Sequence, residues 1–219
     1  FKKLYIPSAG HDAGISMGAA QFQFFHNLGS KRIEPLYNAN LGIEFSNFEI
    51  QSILNEMNLE YEFIEDDDKL FNIIANKISN ECVVGFFDGK AEFGPRALGS
   101  RSILADPRNS KAQKLLNEKI KKRESFRPFA PSILEEFGED YFEDYQFTPF
   151  MERVLKIKAN KKSLIPAVTH VDGTGRLQSV SKILRPRYHH LISVFYKITG
   201  IPILINTSFN ENEPVVNHP

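Results

Sequence analysis

Apolar residues fall into two alternating patterns along the chain, short continuous runs and runs at helical spacing. LYIP reads as a strand within the opening FKKLYIP, residues 8–16 as a small-residue loop, and the following Ala/Phe-rich stretch as a buried helix. Residues 30–45 carry Pro35, Asn38, Asn40 and Gly42 without a period and read as a segment crossing between two packed units. Ser46 and Glu49 spell a capping box, and Ile50, Ile53, Leu54 and Met57 follow on one helical face. Asp66, Asp67 and Asp68 suit the positive end of a second helix with Leu70, Ile73, Ile74 and Ile78 on its apolar face, a capping role rather than a metal site. Residues 82–87 are apolar throughout, too short for a helix, and read as a strand buried on both faces.

Asn109 or Ser110 opens a third helix, with Ala112, Leu115, Leu116 and Ile120 inward and Lys121, Lys122 and Arg123 at its end. Residues 129–134, 154–157 and 178–180 read as short strands, separated by turns at Asn160 and at Asp172-Gly-Thr-Gly175. A last helix carries Tyr188, Leu191, Ile192, Phe195 and Ile198 and stops at Gly200 ahead of Pro202, after which residues 203–206 form a strand. The alternation predicts a mixed α/β sheet domain from about residue 46 onward.

Composition narrows the function classes. Twenty-seven Lys and Arg balance 27 Asp and Glu, so no global field holds a polyanion such as duplex nucleic acid. One cysteine, Cys82, excludes an internal disulfide, and no Cys/His spacing suits a zinc ribbon; a reducing, cytoplasmic setting is the expectation. No apolar run is long enough to span a bilayer. The chain opens on Phe1 rather than on a start Met or a signal segment, and is expected to be a piece of something longer.

Four clusters carry groups suited to phosphates or carbonyls. Glu92-Phe-Gly94-Pro-Arg96-Ala-Leu-Gly99-Ser-Arg101-Ser102 combines glycines that permit close backbone approach with two arginine forks; it lacks the P-loop spacing, and a structural turn with surface arginines explains it equally well. Lys121-Lys122-Arg123, with Arg127 beyond, taken alone is a solvated helix end. The stiff, apolar Phe126-Arg-Pro-Phe-Ala-Pro131 beside it would hold Lys121 and Arg123 against a folded surface. Thr169-His170-Val-Asp172-Gly-Thr-Gly-Arg176 fits a ligand loop, although Asp-Gly is first of all a hairpin signal. Asn206-Thr207-Ser208-Phe209-Asn210 lies at the C-terminal end of a buried strand, where open α/β sheets bind ligands; an Asx turn is the competing account. His11 and Asp12 alone are too unspecific for a metal site, and the adjacent His189 and His190 cannot share a helix face.

VVGFFDGKAEFGPRALGSRSILADPR, KIKKRESFRPFAPSIL, THVDGTGRLQSV and LINTSFNENEPVV, in that order over roughly residues 83–216, resemble the C-terminal region of the O-carbamoyltransferases that modify nodulation factors, tobramycin and cephamycin. The resemblance implies a YrdC-like twisted mixed sheet with flanking helices, similar to threonylcarbamoyl-adenylate synthases, over residues 46–219. Residues 1–45 would be the tail of an actin-like (ASKHA) carbamoyl-transfer domain. It further implies that the YrdC-like unit makes carbamoyl adenylate from carbamoyl phosphate and ATP, for transfer by the other domain to the hydroxyl of a small-molecule acceptor.

By the same resemblance, Lys121 and Arg123 match the Lys-x-Arg, and Ser208 and Asn210 the Ser-x-Asn, that line the nucleotide pocket of the adenylate synthases, which makes Lys121 and Arg123 the main catalytic candidates. Arg96, Arg101 and Arg176 would be further anion clamps, with Asn206 and Thr207 beside them. Fixed cations there would offset the mutual repulsion of two polyanionic substrates. Magnesium is expected to arrive with ATP. Asp12 stands where the family places its last iron ligand, the other ligands belonging to a His-x-x-x-His upstream of this sequence. Lys121→Ala and Arg123→Ala are expected to reduce pyrophosphate exchange with the fold intact, and Arg108, near the start of the third helix, to be structural only. The alternative is a non-catalytic RNA- or nucleotide-binding module, whose RNA form the balanced charge disfavours.

Overall fold

The computed structural model describes residues 4–31, 33–211 and 214–219; Phe1 to Lys3 of the opening FKKLYIP, and Asn212 and Glu213 of the last quoted block, lie outside them. No strand forms at residues 4–7. Helix α1 (Ile15–Phe22) continues into a π turn, Gln23–Asn27, but it is not the buried helix expected: none of its side chains is buried. Its apolar residues, Ile15 and Phe22 among them, are left exposed because it packs chiefly on its own flanking turns.

The capping box at Ser46 forms as read. Ser46 Oγ accepts from Glu49 N–H at 3.2 Å, Glu49 Oε2 accepts from Ser46 N–H at 2.7 Å, and helix α2 (Asn47–Glu56) follows. Helix α3 (Asp67–Ser79) starts at Asp66, whose carboxylate accepts from Asp68 and Lys69 N–H, in the capping role expected. Its buried side is Phe71, Ala75 and Ile78, rotated from the face read in the sequence, with Leu70 and Ile74 at the margin. The shift follows from its partner: α3 packs on α6 (Pro186–Thr199), and Phe71 meets that helix edge-on at His190, 5.1 Å between ring centres.

Six strands form one mixed sheet: β1 (Val84–Phe87), β2 (Arg101–Ala105), β3 (Ala130–Leu134), β4 (Arg153–Lys156), β5 (Thr174–Val180) and β6 (Ile203–Ser208), in the order β1-β2-β6-β3-β5-β4. All neighbours are antiparallel except β3 and β5. β1 is therefore an edge strand and not a doubly buried one; an apolar run does not distinguish the two. Phe209 lies over its Gly85, where a Cβ would come within 2.6 Å of the ring. Between β2 and β3 lies α4 (Ala112–Leu115), and the short α5 (Gly138–Tyr141) follows β3. The turn at Asp172-Gly173 does not join two paired strands directly, as a tight hairpin would: it closes a longer connection from β4 to β5, with Gly173 N–H donating to His170 O at 2.8 Å. α6 buries Tyr188, Leu191, Ile192 and Phe195 against the sheet and ends at left-handed Gly200, while Ile198 is exposed.

Strand register decides what faces the site. Asn206 stands opposite Ala130, and Ser132 opposite both Leu204 and Gln178. Side chains alternate along a strand, so Asn206, Ser208, Ser132, Gln178 and Arg176 share one face of the sheet.

Arg108 is structural, as expected. Its guanidinium grips the buried Asp106 through Nε at 3.0 Å to each carboxylate oxygen and Nη2 at 2.6 Å, and reaches Ser79 O at 3.2 Å. Arg108→Ala strands that carboxylate, so a loss of about 1–3 kcal/mol in stability is expected in denaturant titrations.

Candidate active site

A π turn, Leu116–Ile120, ends the third helix, with Lys121 N–H donating to Leu116 O at 2.8 Å. Lys122 then takes a left-handed backbone, φ 44°, and consecutive basic residues part company. Lys122 points outward to an ion pair with Glu211, while Lys121 turns inward and is 3% exposed. Lys121 Nζ donates to Ser208 O at 2.5 Å, Ser208 Oγ at 3.2 Å, Asn210 O at 2.8 Å and Asn210 Oδ1 at 2.7 Å. Ser208 Oγ donates in turn to Asn210 Oδ1 at 2.7 Å. The two motifs, 87 residues apart in sequence, thus meet at one ammonium group.

Arg123 is set by Asn117, a buried residue the sequence reading passed over. Asn117 Oδ1 accepts from Arg123 Nε at 2.7 Å, while its Nδ2 donates to Ser125 O and Arg127 O at 3.2 and 2.9 Å, so one amide shapes the whole basic loop. The guanidinium lies 4.9 Å from the centre of the Phe129 ring. Burial first, then Arg127, pushes the Arg123 pKa down.

Two openings meet here. A groove of about 380 Å³ is lined by Lys121, Lys122, Arg123, Arg127, Ser208 and Asn210, with Glu124 and Glu211 at its edge. A smaller cavity of about 110 Å³ shares Arg123 and Ser208 and adds Arg96, Arg176, Asn206 and Thr207, with no carboxylate among the described residues of its lining. Among the described residues no carboxylate forms an ion pair with Arg96, Arg123 or Arg176. Arg176 is the most strained of these cations. Burial, then Arg96 and Arg123, lowers its pKa to about 10, and its buried Nε has no hydrogen-bond partner among the described residues. Glu124 opposes the depression on Arg123 from the groove side, but toward the smaller cavity the three guanidinium groups face one another with no ion-paired carboxylate among the described residues, an arrangement suited to an anion.

The structure gives two residues of the expected clamp other work. Arg101 is 1% exposed and faces away from both openings: its Nη1 donates to Gly89 O at 3.0 Å and Ser100 O at 3.1 Å, its Nη2 to Ile43 O at 3.2 Å, and it stacks on Phe87 at 3.5 Å. Asn206 Nδ2 donates to Ala97 O, Ser132 Oγ and Gln178 Oε1 at 3.0–3.1 Å, tying the sheet to the loop above it, while its buried Oδ1, in the cavity wall, lacks a donor among the described residues. Asp12 is exposed in a short 3-10 turn whose cap is His11 Nδ1, and among the described residues no three His, Cys, Asp or Glu side chains converge.

The loop that carries Arg96 owes its path to Gly99. At φ 93° Gly99 lies against the Tyr188 ring, where a Cβ would sit 2.3 Å from a ring carbon. Gly99→Ala is expected to cost at least about 2 kcal/mol in stability, readable from thermal or denaturant melting.

A family model for the carbamoyltransferase C-terminus matches residues 75–219. Nodulation protein NolNO of Sinorhizobium fredii is 42% identical over 226 aligned positions, covering 99% of this chain and 32% of that protein. Nodulation protein NolO of Bradyrhizobium diazoefficiens is also 42% identical, covering 99% of this chain and 40% of its own length. The chain thus spans about a third to two-fifths of the length of these curated relatives. Full-length HypF in its phosphate- and nucleotide-bound form superposes at a TM-score of 0.45 and 19% identity over 70% of this chain and 19% of that one, too distant to bear on the site. No helix among the described residues is long and apolar enough to cross a membrane.

Proposed function

The chain belongs to the carbamoyltransferase C-terminus family, and from that premise we propose that its groove and cavity form carbamoyl adenylate from ATP and a carbamoyl group delivered as carbamoyl phosphate. The observation that carries this reading is the convergence of Lys121, Arg123, Ser208 and Asn210 with the carboxylate-free cavity of Arg96 and Arg176. The groove has the volume of a small-ligand site, and its charge matches a triphosphate beside a second anion.

The chemistry balances as two displacements. Water releases phosphate from carbamoyl phosphate and leaves carbamate. A carbamate oxygen then bonds to the α-phosphorus of ATP as the bond to the β-phosphate breaks, and pyrophosphate departs with the electron pair. Arg96, Arg123 and Arg176 offset the charge on the phosphates, and holding both anions side by side replaces a repelled encounter in water with an oriented one. Lys121 holds Ser208 and Asn210 in place as neutral partners for the phosphates or the carbamoyl group.

Within this reading, residues 46–219 are the adenylate-forming unit and residues 1–45 the end of a carbamoyl-transfer unit, in a cytoplasmic enzyme with a hydroxyl-bearing acceptor. Glu124 and Glu211 at the groove are paired to Arg127 and Lys122, and the described residues of the cavity lining include no carboxylate, so magnesium would come on the nucleotide, held by phosphates and water. The described residues do not assemble an iron site around Asp12, and no step is assigned to iron.

Exchange of labelled pyrophosphate into ATP tests the proposal: it should require carbamoyl phosphate, and acetyl phosphate should not replace it. Exchange independent of carbamoyl phosphate, or absent with it, rejects the proposal. An RNA-binding module would instead show affinity falling steeply with salt and no exchange.

A further inference from the structure

The loop carrying Arg96 is held peptide by peptide from distant parts of the chain. The Glu92 carboxylate accepts from Leu98 and Ser100 N–H at 2.7 Å each and from Arg101 N–H at 3.2 Å. Gly99 N–H donates to Ser102 Oγ at 3.0 Å. The carbonyls are gripped as well: Ala97 O by Asn206 Nδ2 at 3.1 Å, Leu98 O by Gln178 Nε2 at 2.9 Å and Gly99 O by Arg185 Nη2 at 2.7 Å.

One of these grips reaches beyond the sheet. Arg185 donates through Nη2 to Ser100 Oγ at 2.8 Å and through Nη1 to Asn40 Oδ1. Asn40 Nδ2 donates to the same Ser100 Oγ at 2.6 Å and to Lys90 O at 2.7 Å. The backbone around Asn40 is stitched to the approach of the same loop: Phe93 N–H donates to Ala39 O at 2.7 Å, Gly42 N–H to Ala91 O at 3.0 Å and Ala91 N–H to Ile43 O at 2.9 Å. Burial depresses the Arg185 pKa, opposed by Glu92 and Asp88.

We infer that Asn40 and Arg185 are positioning residues, and that docking of residues 38–43 sets the loop that places Arg96 at the cavity. They touch no substrate; they couple the segment before α2 to the shape of the anion site, which rests on the reading above for the nature of its ligand. Coupling of this kind is reciprocal, so an anion in the cavity must tighten residues 38–43 as well.

Amide hydrogen exchange with titration of inorganic pyrophosphate into the whole chain tests this. In Asn40→Ala the amides of Leu98, Ser100 and Arg101 should exchange at least about tenfold faster and pyrophosphate should bind about tenfold more weakly, with β3 and β5 protection unchanged. Arg185→Lys keeps the charge but loses the fork and should show the same pattern at smaller amplitude, whereas exposed Lys197→Ala on α6 should show neither effect. In the parent chain, saturating pyrophosphate should slow exchange at Gly42 and Phe93. Loop exchange unchanged in both Asn40→Ala and Arg185→Lys overturns the inference, as does pyrophosphate binding that leaves Gly42 and Phe93 untouched. If the parent binds no pyrophosphate while Asn40→Ala still loosens residues 98–101, the positioning role stands and the anion-site reading fails.

Discussion

Replacing Lys121 by methionine is expected to lower carbamoyl-phosphate-dependent pyrophosphate exchange about 100-fold or more, the scale on which losing the preorganised hydrogen-bonding groups at a reacting anion counts, because Ser208 and Asn210 lose the ammonium that holds them. Methionine keeps most of the stem volume, so the loss isolates the ammonium. That group holds two oxygens of Ser208 and two of Asn210, and it is 3% exposed. Its removal leaves these acceptors without their cation at the junction of groove and cavity, so stability should fall too, by about 1–3 kcal/mol. The sequence alone suggests a variant with its fold intact; burial of the side chain changes that expectation. Exchange must therefore be measured well below the variant's own melting temperature. Parent-level exchange there would remove Lys121 from the site.

Arg176→Gln should behave in the opposite way toward stability. Burial and the neighbouring Arg96 and Arg123 hold the Arg176 pKa near 10, well below the ordinary guanidinium range, so the folded chain disfavours the charged form. The sign follows from proton binding: from about pH 10 up to the ordinary guanidinium range the unfolded chain keeps a proton that the folded chain has released, so stability from this group rises with pH there. At neutral pH the penalty is fully present. Glutamine removes it, and the melting temperature without anions should hold or rise. ATP affinity should fall about 10- to 100-fold, as expected for a lost charge-assisted contact. A lower melting temperature with unchanged affinity would make Arg176 a structural residue.

These opposite signatures reflect what the sequence makes legible. Local chemistry reads well: the Ser46 box, the Asp66 cap and the Gly200 stop form as spelled, because each is settled within a few residues. Faces read less well. The buried side of α3 is rotated by its contact with α6, and β1 lies at an edge, because both depend on tertiary partners that no local pattern names. In the site, the charge run and the hydroxyl turn taken alone leave structural readings open; it is the family resemblance that points to Lys121, Arg123, Ser208 and Asn210, and the fold joins them. Arg101 shows the limit: its spacing from Arg96 suits a phosphate clamp, yet its side chain ends on backbone carbonyls. Asn117, Gln178, Arg185 and Asn40 escape notice because their work is to hold peptide groups, and an isolated amide or arginine carries no signature of that.

Calorimetric titration of ATP into the intact chain puts the shared cation cluster to its most direct test. If Lys121, Arg96, Arg123 and Arg176 serve a single polyanion, binding saturates at one nucleotide per chain, pyrophosphate competes with it, and Lys121→Met and Arg176→Gln weaken the same isotherm. No saturable uptake, or an isotherm indifferent to both substitutions, would contradict it.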